Sequence, residues 1–104
     1  MNAYRRRIEI TRDILRAVSV NNGARKTRIM FRANLGYRVL LRYLKWLLEA
    51  GLLLLDEDSY YQLTDKGQAF LSLYQRYEKG LRELEAQSGE LDRSEMALRK
   101  MMAV

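Results

Sequence analysis

The spacing of apolar residues predicts three helices in the first half of the chain. Over residues 4–20 apolar side chains recur every three or four positions, the period of an amphipathic helix. A short helix is expected from about Thr27, whose hydroxyl would cap its first turn, and a third over 37–50. Gly and Asn residues, which tolerate the backbone conformations that end helices, separate the three: Asn21-Asn22-Gly23, Asn34-Leu35-Gly36 and Gly51.

After the third predicted helix the pattern changes to strands. Residues 52–55 and 60–63 are short apolar runs around the polar segment Asp56-Glu57-Asp58-Ser59, a common length for a hairpin loop. Thr64-Asp65-Lys66-Gly67 then carries helix-start signals, with Thr64 as the cap. This order predicts a mainly α winged helix-turn-helix with a small β-hairpin, a fold whose second helix of the pair commonly enters the DNA major groove.

A long helix with one apolar seam is expected to complete the chain. The seam alternates spacings of four and three residues, and it comprises Phe70, Tyr74, Tyr77, Leu81, Leu84, Ser88, Leu91, Glu95, Leu98 and Met102. Such a repeat is typical of a coiled coil, and a homodimer is the simplest way to cover it. We therefore expect a winged-helix domain over 1–66 and a coiled-coil dimerisation helix over 67–104, with all of these seam residues except Ser88 in the dimer interface.

The polar seam positions bear on the direction of the coiled coil. In a parallel pair Glu95 would face Glu95 of the second copy. In the antiparallel register in which the numbers of facing residues add up to 172, Glu95 would face Tyr77, whose hydroxyl can donate a hydrogen bond to the carboxylate. We therefore favour the antiparallel arrangement. Ser88-Gly89 is the weakest point of the helix, because Gly is unfavourable in a helix interior. A break there would fold the last residues back onto the domain, and this alternative stays open.

Composition excludes several classes of protein. The 104 residues suffice for one domain and an appended helix, and the chain has neither histidine nor cysteine. Disulfides, thiol chemistry and the usual zinc ligands are thereby excluded, as is the commonest acid–base group of enzymes. We predict no enzyme activity, metal, cofactor or small-molecule ligand. No run is long enough to span a membrane, and Arg5-Arg6-Arg7 does not begin a secretion signal, so a cytoplasmic, nucleoid-associated protein is expected.

The net charge of +6 is concentrated in the first half of the chain. Residues 1–50 hold twelve Lys and Arg against three acidic residues, a balance of +9, whereas residues 51–104 hold seven against ten, a balance of −3. Such segregation indicates a half that faces a polyanion. In the second and third helices the basic residues are Arg25, Lys26, Arg28, Arg32, Arg38, Arg42 and Lys45.

The third helix divides into an apolar and a basic face. Its inward stripe is predicted to comprise Leu40, Tyr43, Leu44, Leu47 and Leu48. Arg38, Arg42 and Lys45 form the opposite stripe, where arginine can pair with both guanine acceptors and lysine mostly meets phosphates. Trp46 lies between the stripes and is expected to pack against the first or last helix. The acidic hairpin tip is unusual for a wing that grips DNA, and we interpret it as a solvated turn.

Several segments resemble the small basic archaeal winged-helix DNA-binding proteins that dimerise through a C-terminal antiparallel coiled coil. They are Ile8-Glu9-Ile10, Lys26-Thr27-Arg28-Ile29-Met30, Ala33-Asn34-Leu35-Gly36-Tyr37, Tyr43-Leu44, Gly51-Leu52 and Tyr61-Gln62-Leu63-Thr64-Asp65-Lys66-Gly67. The resemblance implies a dimeric transcriptional regulator or chromatin protein without enzyme activity. It places Lys26, Thr27, Arg28 and Arg32 on the DNA-facing side, with Arg38, Arg42 and Lys45 on the recognition helix.

Double-stranded DNA is accordingly the predicted partner, besides a second copy of the chain. Two other functions stay open. The basic face could dock an acidic protein, or Tyr37 and the arginines could bind RNA or a single strand, so Tyr37 also counts among the candidate nucleic-acid-binding residues.

Overall fold

The computed structural model describes residues 5–102, of which 87–95 are described by their backbone alone. The elements in order are α1 (Arg7–Ser19), α2 (Lys26–Ala33), α3 (Tyr37–Glu49), β1 (Leu53–Leu55), β2 (Tyr61–Leu63) and α4 (Asp65–Met102). This order confirms the predicted winged helix-turn-helix, mainly α with a two-stranded hairpin and a long C-terminal helix.

Two predicted helix starts need correction. The predicted start of the first helix at Tyr4 lies outside the described residues, and α1 begins at Arg7 with Arg6 at its N-cap. The second helix begins before Thr27, so Thr27 lies within α2 and does not cap it, and Arg25 takes the N-cap position. The reason is a tertiary contact, because the residue before Arg25, Ala24, is held by backbone hydrogen bonds to Tyr61 that fix where the extended chain ends.

One apolar core joins the helices to the hairpin. Its buried members are Ile14, Leu15, Ala17, Val18, Ala24, Ile29, Ala33, Leu40, Leu44, Leu47, Leu53 and Tyr61. Of the predicted inward stripe of α3, Leu40, Leu44 and Leu47 are buried, whereas Tyr43 and Leu48 are half-buried and pack against the core edge. The stripe is therefore narrower than the sequence pattern suggested.

The hairpin is antiparallel and is extended by a third short segment. Leu53 faces Leu63 and Leu55 faces Tyr61 across the two strands. Ala24 pairs with Tyr61 from the other side, its amide donating to the Tyr61 carbonyl at 3.0 Å and its carbonyl accepting at 2.8 Å. This pairing ties the wing to the start of α2.

Hydrogen bonds connect the start of α4 to the end of α3, and they involve Thr64, Lys66 and Gly67. The Thr64 hydroxyl accepts the Gly67 amide at 3.0 Å, which confirms the predicted cap, and donates to the Gly51 carbonyl at 2.5 Å. The Lys66 ammonium donates to the Ala50 carbonyl at 2.6 Å. These bonds satisfy carbonyls that the end of α3 leaves without helical partners.

The backbone of α4 runs as one helix through Ser88 and Gly89, so the alternative of a break at that point does not hold. The chain divides into two compact units between Leu73 and Tyr74. We call the first unit the head and the second the tail. The division of function at residues 66 and 67 stays a prediction.

The predicted interface residues differ in how much of each is exposed within one chain. Phe70 packs against the core of the head, and Tyr74 is only 6% exposed. Tyr77, Leu81, Leu84, Leu98 and Met102 are exposed. The side chains of Leu91 and Glu95 lie outside the described residues. No described helix is both long and apolar enough to cross a lipid bilayer.

Candidate nucleic-acid interface

The turn between α2 and α3 sets the angle at which a helix-turn-helix presents its second helix. Asn34 closes α2 in the left-handed conformation, with φ of 53°, which Asn tolerates better than most residues. The Arg5 guanidinium reaches across and donates to the carbonyls of Ala33 and Asn34 at 2.6 and 2.7 Å. The turn is thus held by its own backbone and by a side chain from outside α2 and α3.

Asp13 holds the Arg5 side chain in the position from which it binds the turn. Its carboxylate accepts from Arg5 at 2.7 Å and from Arg12 at 2.8 Å. Burial by itself would raise the pKa of Asp13, but the hydrogen bonds from Arg12 and Arg5 outweigh it and hold the pKa below its ordinary value. Arg5 and Arg12 therefore both serve the fold by binding the same carboxylate.

The outer face of α3 carries exposed cations opposite the buried stripe. Arg38, Arg42 and Lys45 are exposed, and Tyr37 at the start of the helix is 55% exposed. Within the described part of the chain, no carboxylate forms an ion pair with these three cations. They are available to an anionic ligand.

The predicted residues of α2 are also exposed, and some of them border two different depressions of the surface. Ile29 and Ala33 are buried, which leaves Lys26, Thr27, Arg28 and Arg32 at the surface. Arg25, Lys26 and Thr27 line a groove beside the wing together with Asp58 and Ser59. Arg32 lines a separate depression with Arg16 of α1 and with Val20, the residue that follows α1. The candidates Arg25, Lys26 and Thr27 thus border the depression beside the wing, and Arg32 borders the one beside α1.

The acidic wing tip is explained by the turn it builds. The Asp56 carboxylate accepts from the amides of Asp58 and Tyr60 and from the Gln62 side chain, at 2.9 to 3.1 Å. The hydrogen bonds from Gln62 and the Tyr60 amide, with the charge of Arg25 nearby, hold the pKa of Asp56 below its ordinary value. The first of the three acidic residues thus shapes the loop, while Glu57 and Asp58 remain exposed.

Arg25 is tied to the wing as well as to α2. Its guanidinium lies 4.8 Å from the centre of the Tyr60 ring. A cation held on an aromatic face keeps its charge and its donors at the ring edge. Arg25 therefore links the start of α2 to the hairpin and still faces solvent.

Trp46 contacts the first helix, as predicted, but it is less buried than a core residue. A residue of the first helix does meet it, since the Arg7 guanidinium lies 4.5 Å from the indole centre, but the indole is 44% exposed. The ring edge of Tyr43 packs against it at 5.7 Å. Sequence reasoning left Arg7 out of the candidate site. The available signal was the run Arg5-Arg6-Arg7, whose members cannot all face the same way on a helix start.

A helix-turn-helix pair with a basic outer face, followed by a hairpin that pairs back onto it, defines a winged-helix protein. The chain belongs to the Winged helix-turn-helix family, whose model matches residues 4–82. No curated protein sequence matches it significantly.

Among solved structures, the chain is similar to Sso10a-2, a DNA-binding protein from Sulfolobus solfataricus, with a TM-score of 0.72 and 26% identity over 86% of this chain and 95% of that one. It also shares its fold with the MarR family transcriptional regulator SPO1453 from Silicibacter pomeroyi DSS-3, with a TM-score of 0.56 and 16% identity over 93% and 76% of the two chains. The zinc-dependent MarR family transcriptional regulator AdcR, in its Zn(II)-bound state, shares the fold with a TM-score of 0.57. Its sequence is 16% identical, and the match covers 99% of this chain and 80% of that one. Among the described residues of this chain, no three acidic side chains lie close enough together to hold a metal ion.

Proposed function

We propose that this protein binds duplex DNA as a homodimer, with α3 of each head in the major groove, and acts as a transcriptional regulator or chromatin-associated protein without enzyme activity or cofactor. One observation carries the proposal. Arg38, Arg42 and Lys45 stand exposed and without ion-pair partners among the described residues, on the second helix of a helix-turn-helix. The similarity to Sso10a-2, itself a DNA-binding protein, supports the same conclusion.

The cations have different proposed tasks. The planar forks of Arg38 and Arg42 match the two acceptors of a guanine edge, and they would carry the sequence preference. Lys26 and Lys45 are point charges suited to phosphates, which position the protein but do not read bases. Phosphate contacts release counterions, so binding would weaken steeply as salt rises. A nucleoid-associated, cytoplasmic location follows from this function.

Titration of labelled duplexes by fluorescence anisotropy tests the proposal. We expect Arg38→Ala with Arg42→Ala to remove most discrimination between a selected site and a random duplex. Lys26→Ala should weaken both duplexes alike and reduce the slope of log K against log salt by about 0.9. Arg82→Ala, which removes one charge from the tail, is the matched control. Absence of duplex binding at about 0.1 M salt would refute the proposal.

The alternatives are outcomes of related experiments. If RNA displaces the duplex at equal concentration, the protein is an RNA or single-strand binder. If a pull-down recovers a different protein and nuclease treatment has no effect, the basic face is a protein-docking surface. Either result would replace duplex DNA as the main partner.

The proposed homodimer rests on the exposed apolar side chains of the tail. Leu84, Leu98 and Met102 are 61%, 59% and 78% exposed within one chain. Within one chain Phe70 is half-buried and Tyr74 is buried, so the exposed members of the seam would supply most of the interface. A second copy would cover them by the knobs-into-holes packing that the heptad spacing favours.

The direction of pairing can be measured separately. Since the chain has no cysteine, Leu98→Cys introduces a single site for a spin label. In a parallel pair the two labels lie side by side. In the proposed antiparallel register Leu98 faces residue 74 of the partner, so the two backbone sites are separated by about 36 Å at 1.5 Å rise per residue. A short measured distance would reject the antiparallel arrangement.

A further inference from the structure

A groove of about 630 Å³ lies beside the outer face of α3. The DNA contacts proposed above involve the α3 side of this groove, but not the residues that line it from the start of the chain. Arg42 and Lys45 line it from α3, while Arg5 and Arg7 line it from the start of the chain. Trp46 contributes an exposed aromatic surface, and Glu49 contributes the one carboxylate among its lining residues. The groove thus continues the basic face of α3 toward α1.

The three consecutive arginines at the start of α1 have separate positions. Arg5 donates to the Asp13 carboxylate and to two carbonyls of the turn, so three of its five N–H donors are engaged within the head. Arg6 is the N-cap of α1, and its amide and side chain both donate to Glu9. Arg7 lies over Trp46, facing the groove. Of the three, Arg7 is the one placed to serve a ligand.

The contact with Trp46 prepares Arg7 for an anion. The Arg7 guanidinium lies over the indole at 4.5 Å from its centre, where the ring face attracts its charge without using its N–H donors in conventional hydrogen bonds. Tyr43 supports the indole edge-on at 5.7 Å. The long arginine side chain therefore loses much of its freedom before any ligand arrives, which lowers the entropic cost of binding.

We propose that this groove is a second phosphate-binding surface, in which Arg7 of α1 contacts the DNA backbone beside the segment that α3 reads and Trp46 acts as its positioning residue. The proposal rests on the proposed function. With Arg5 engaged within the head, the groove presents Arg7, Arg42 and Lys45 against Glu49, a surplus of positive charge suited to a phosphodiester chain. Because Arg42 and Lys45 line both surfaces, one duplex can engage the two continuously.

The test combines salt dependence with the fluorescence of Trp46, the only tryptophan in the chain. For the wild type we expect DNA to change the intensity or wavelength of tryptophan emission in step with the anisotropy. Arg7→Gln should weaken binding to all duplexes alike and reduce the salt slope by about 0.9, the value for one lost phosphate contact. Arg82→Gln removes the same charge from the tail and should leave the slope and the emission change unaltered.

Variants of Trp46 separate positioning from general stability. Trp46→Leu removes the aromatic platform, keeps every charge, and should weaken duplex binding roughly threefold, while Trp46→Phe should restore most of the affinity because it offers another aromatic face. In the double variant Arg7→Gln with Trp46→Leu, the loss should not exceed that of Arg7→Gln alone, since Trp46 acts through Arg7. Thermal melting of each variant confirms that the head is folded.

The two proposals fail differently. If the wild type binds no duplex, the proposed function is wrong and this inference falls with it. If the wild type binds but Arg7→Gln leaves the salt slope unchanged, or if tryptophan emission does not respond to DNA, only the groove proposal is overturned. Additive losses from Arg7→Gln and Trp46→Leu would also overturn it, because the two residues would then act independently.

Discussion

The head buries a core of large apolar side chains, whereas many of those described in the tail are exposed within one chain. In the head Ile14, Leu15 and Leu40 are fully buried, whereas in the tail Leu84 and Met96 are each 61% exposed. Burying a large apolar side chain stabilises a fold by roughly 1.5–3 kcal/mol, so the head contains its own source of stability. A long helix gains most of its stability from packing rather than from propensity. The comparison supports the proposal that a second copy of the chain covers the exposed apolar side chains of the tail.

Polar contacts follow the same division. In the head, side chains donate hydrogen bonds to backbone carbonyls at helix ends that are distant in the sequence. Lys66 donates to the Ala50 carbonyl and Arg5 to the Ala33 carbonyl. The tail offers a local ion pair between Arg82 and Glu78, four residues apart, at 3.8 Å. Exposed pairs of this kind contribute well under 1 kcal/mol. The polar contacts of the head thus join residues that are distant in the sequence, whereas the Arg82–Glu78 pair joins neighbours on one helix.

The strongest test of this comparison is a charge in the proposed seam. Leu84→Glu places a carboxylate where each chain would present an apolar side chain, and in a homodimer the change occurs twice. We expect the dimer dissociation constant to rise roughly 100-fold, equivalent to about 2.8 kcal/mol, without a change in the melting temperature of the head. Sedimentation equilibrium measures the first quantity and near-ultraviolet circular dichroism the second.

Gln75→Glu adds the same charge to the tail away from the seam and serves as the control. It should leave the dissociation constant within about twofold, because surface charges contribute little. If Leu84→Glu has no larger effect than Gln75→Glu, Leu84 does not lie in an interface and the proposed pairing is wrong.

The head should be most sensitive where backbones approach closely. A Cβ added at Gly67 would collide with the carbonyl oxygen of Leu52, which is backbone and cannot move aside as a flexible side chain can. We expect Gly67→Ala to lower the free energy of unfolding of the head by about 2–3 kcal/mol, the usual cost of overpacking. Urea denaturation followed by tryptophan fluorescence measures it. An unchanged midpoint would contradict the packing of α4 on the end of α3.

Asp13 makes the stability of the head depend on pH. Because Arg12 and Arg5 lower its folded-state pKa below the ordinary 3.8, its contribution is present above about pH 4 and is lost as the pH falls through the folded value. Asp13→Asn should therefore destabilise the head by about 2 kcal/mol at pH 7. The difference from wild type should shrink below pH 4. A constant difference at all pH values would show that the carboxylate charge is not responsible.

Much of the fold could be predicted because its signals are local. The buried stripe of Leu40, Leu44 and Leu47 follows from helical spacing, and the Thr64 cap lies three residues from the amide it binds. The exposure of the basic residues on α3 follows from the same period. Their DNA contacts stay predictions, since exposure alone does not identify a ligand.

The features that sequence reasoning missed depend on distant residues. Arg5 binds carbonyls 28 and 29 positions away, and nothing in its immediate neighbours distinguishes it from Arg7. Thr27 resembled a helix cap, but the pairing of Ala24 with Tyr61 moved the helix start. Trp46 was expected to pack against the first or last helix, and the start of α1 does contact it, but through a guanidinium that leaves the indole 44% exposed.

The smallest predicted effect contrasts two glycines on the same helix. Unlike Gly67, Gly80 has nothing within 4 Å of an added Cβ, apart from the backbone of its own helix, and it has no positive φ. Gly80→Ala should therefore stabilise the tail by up to about 1 kcal/mol through helix propensity alone, leaving the head unaffected. Thermal melting monitored by circular dichroism at 222 nm measures the gain. If Gly80→Ala instead weakens dimerisation, a partner chain occupies the space beside Gly80, and the seam of the tail must be rotated toward that face.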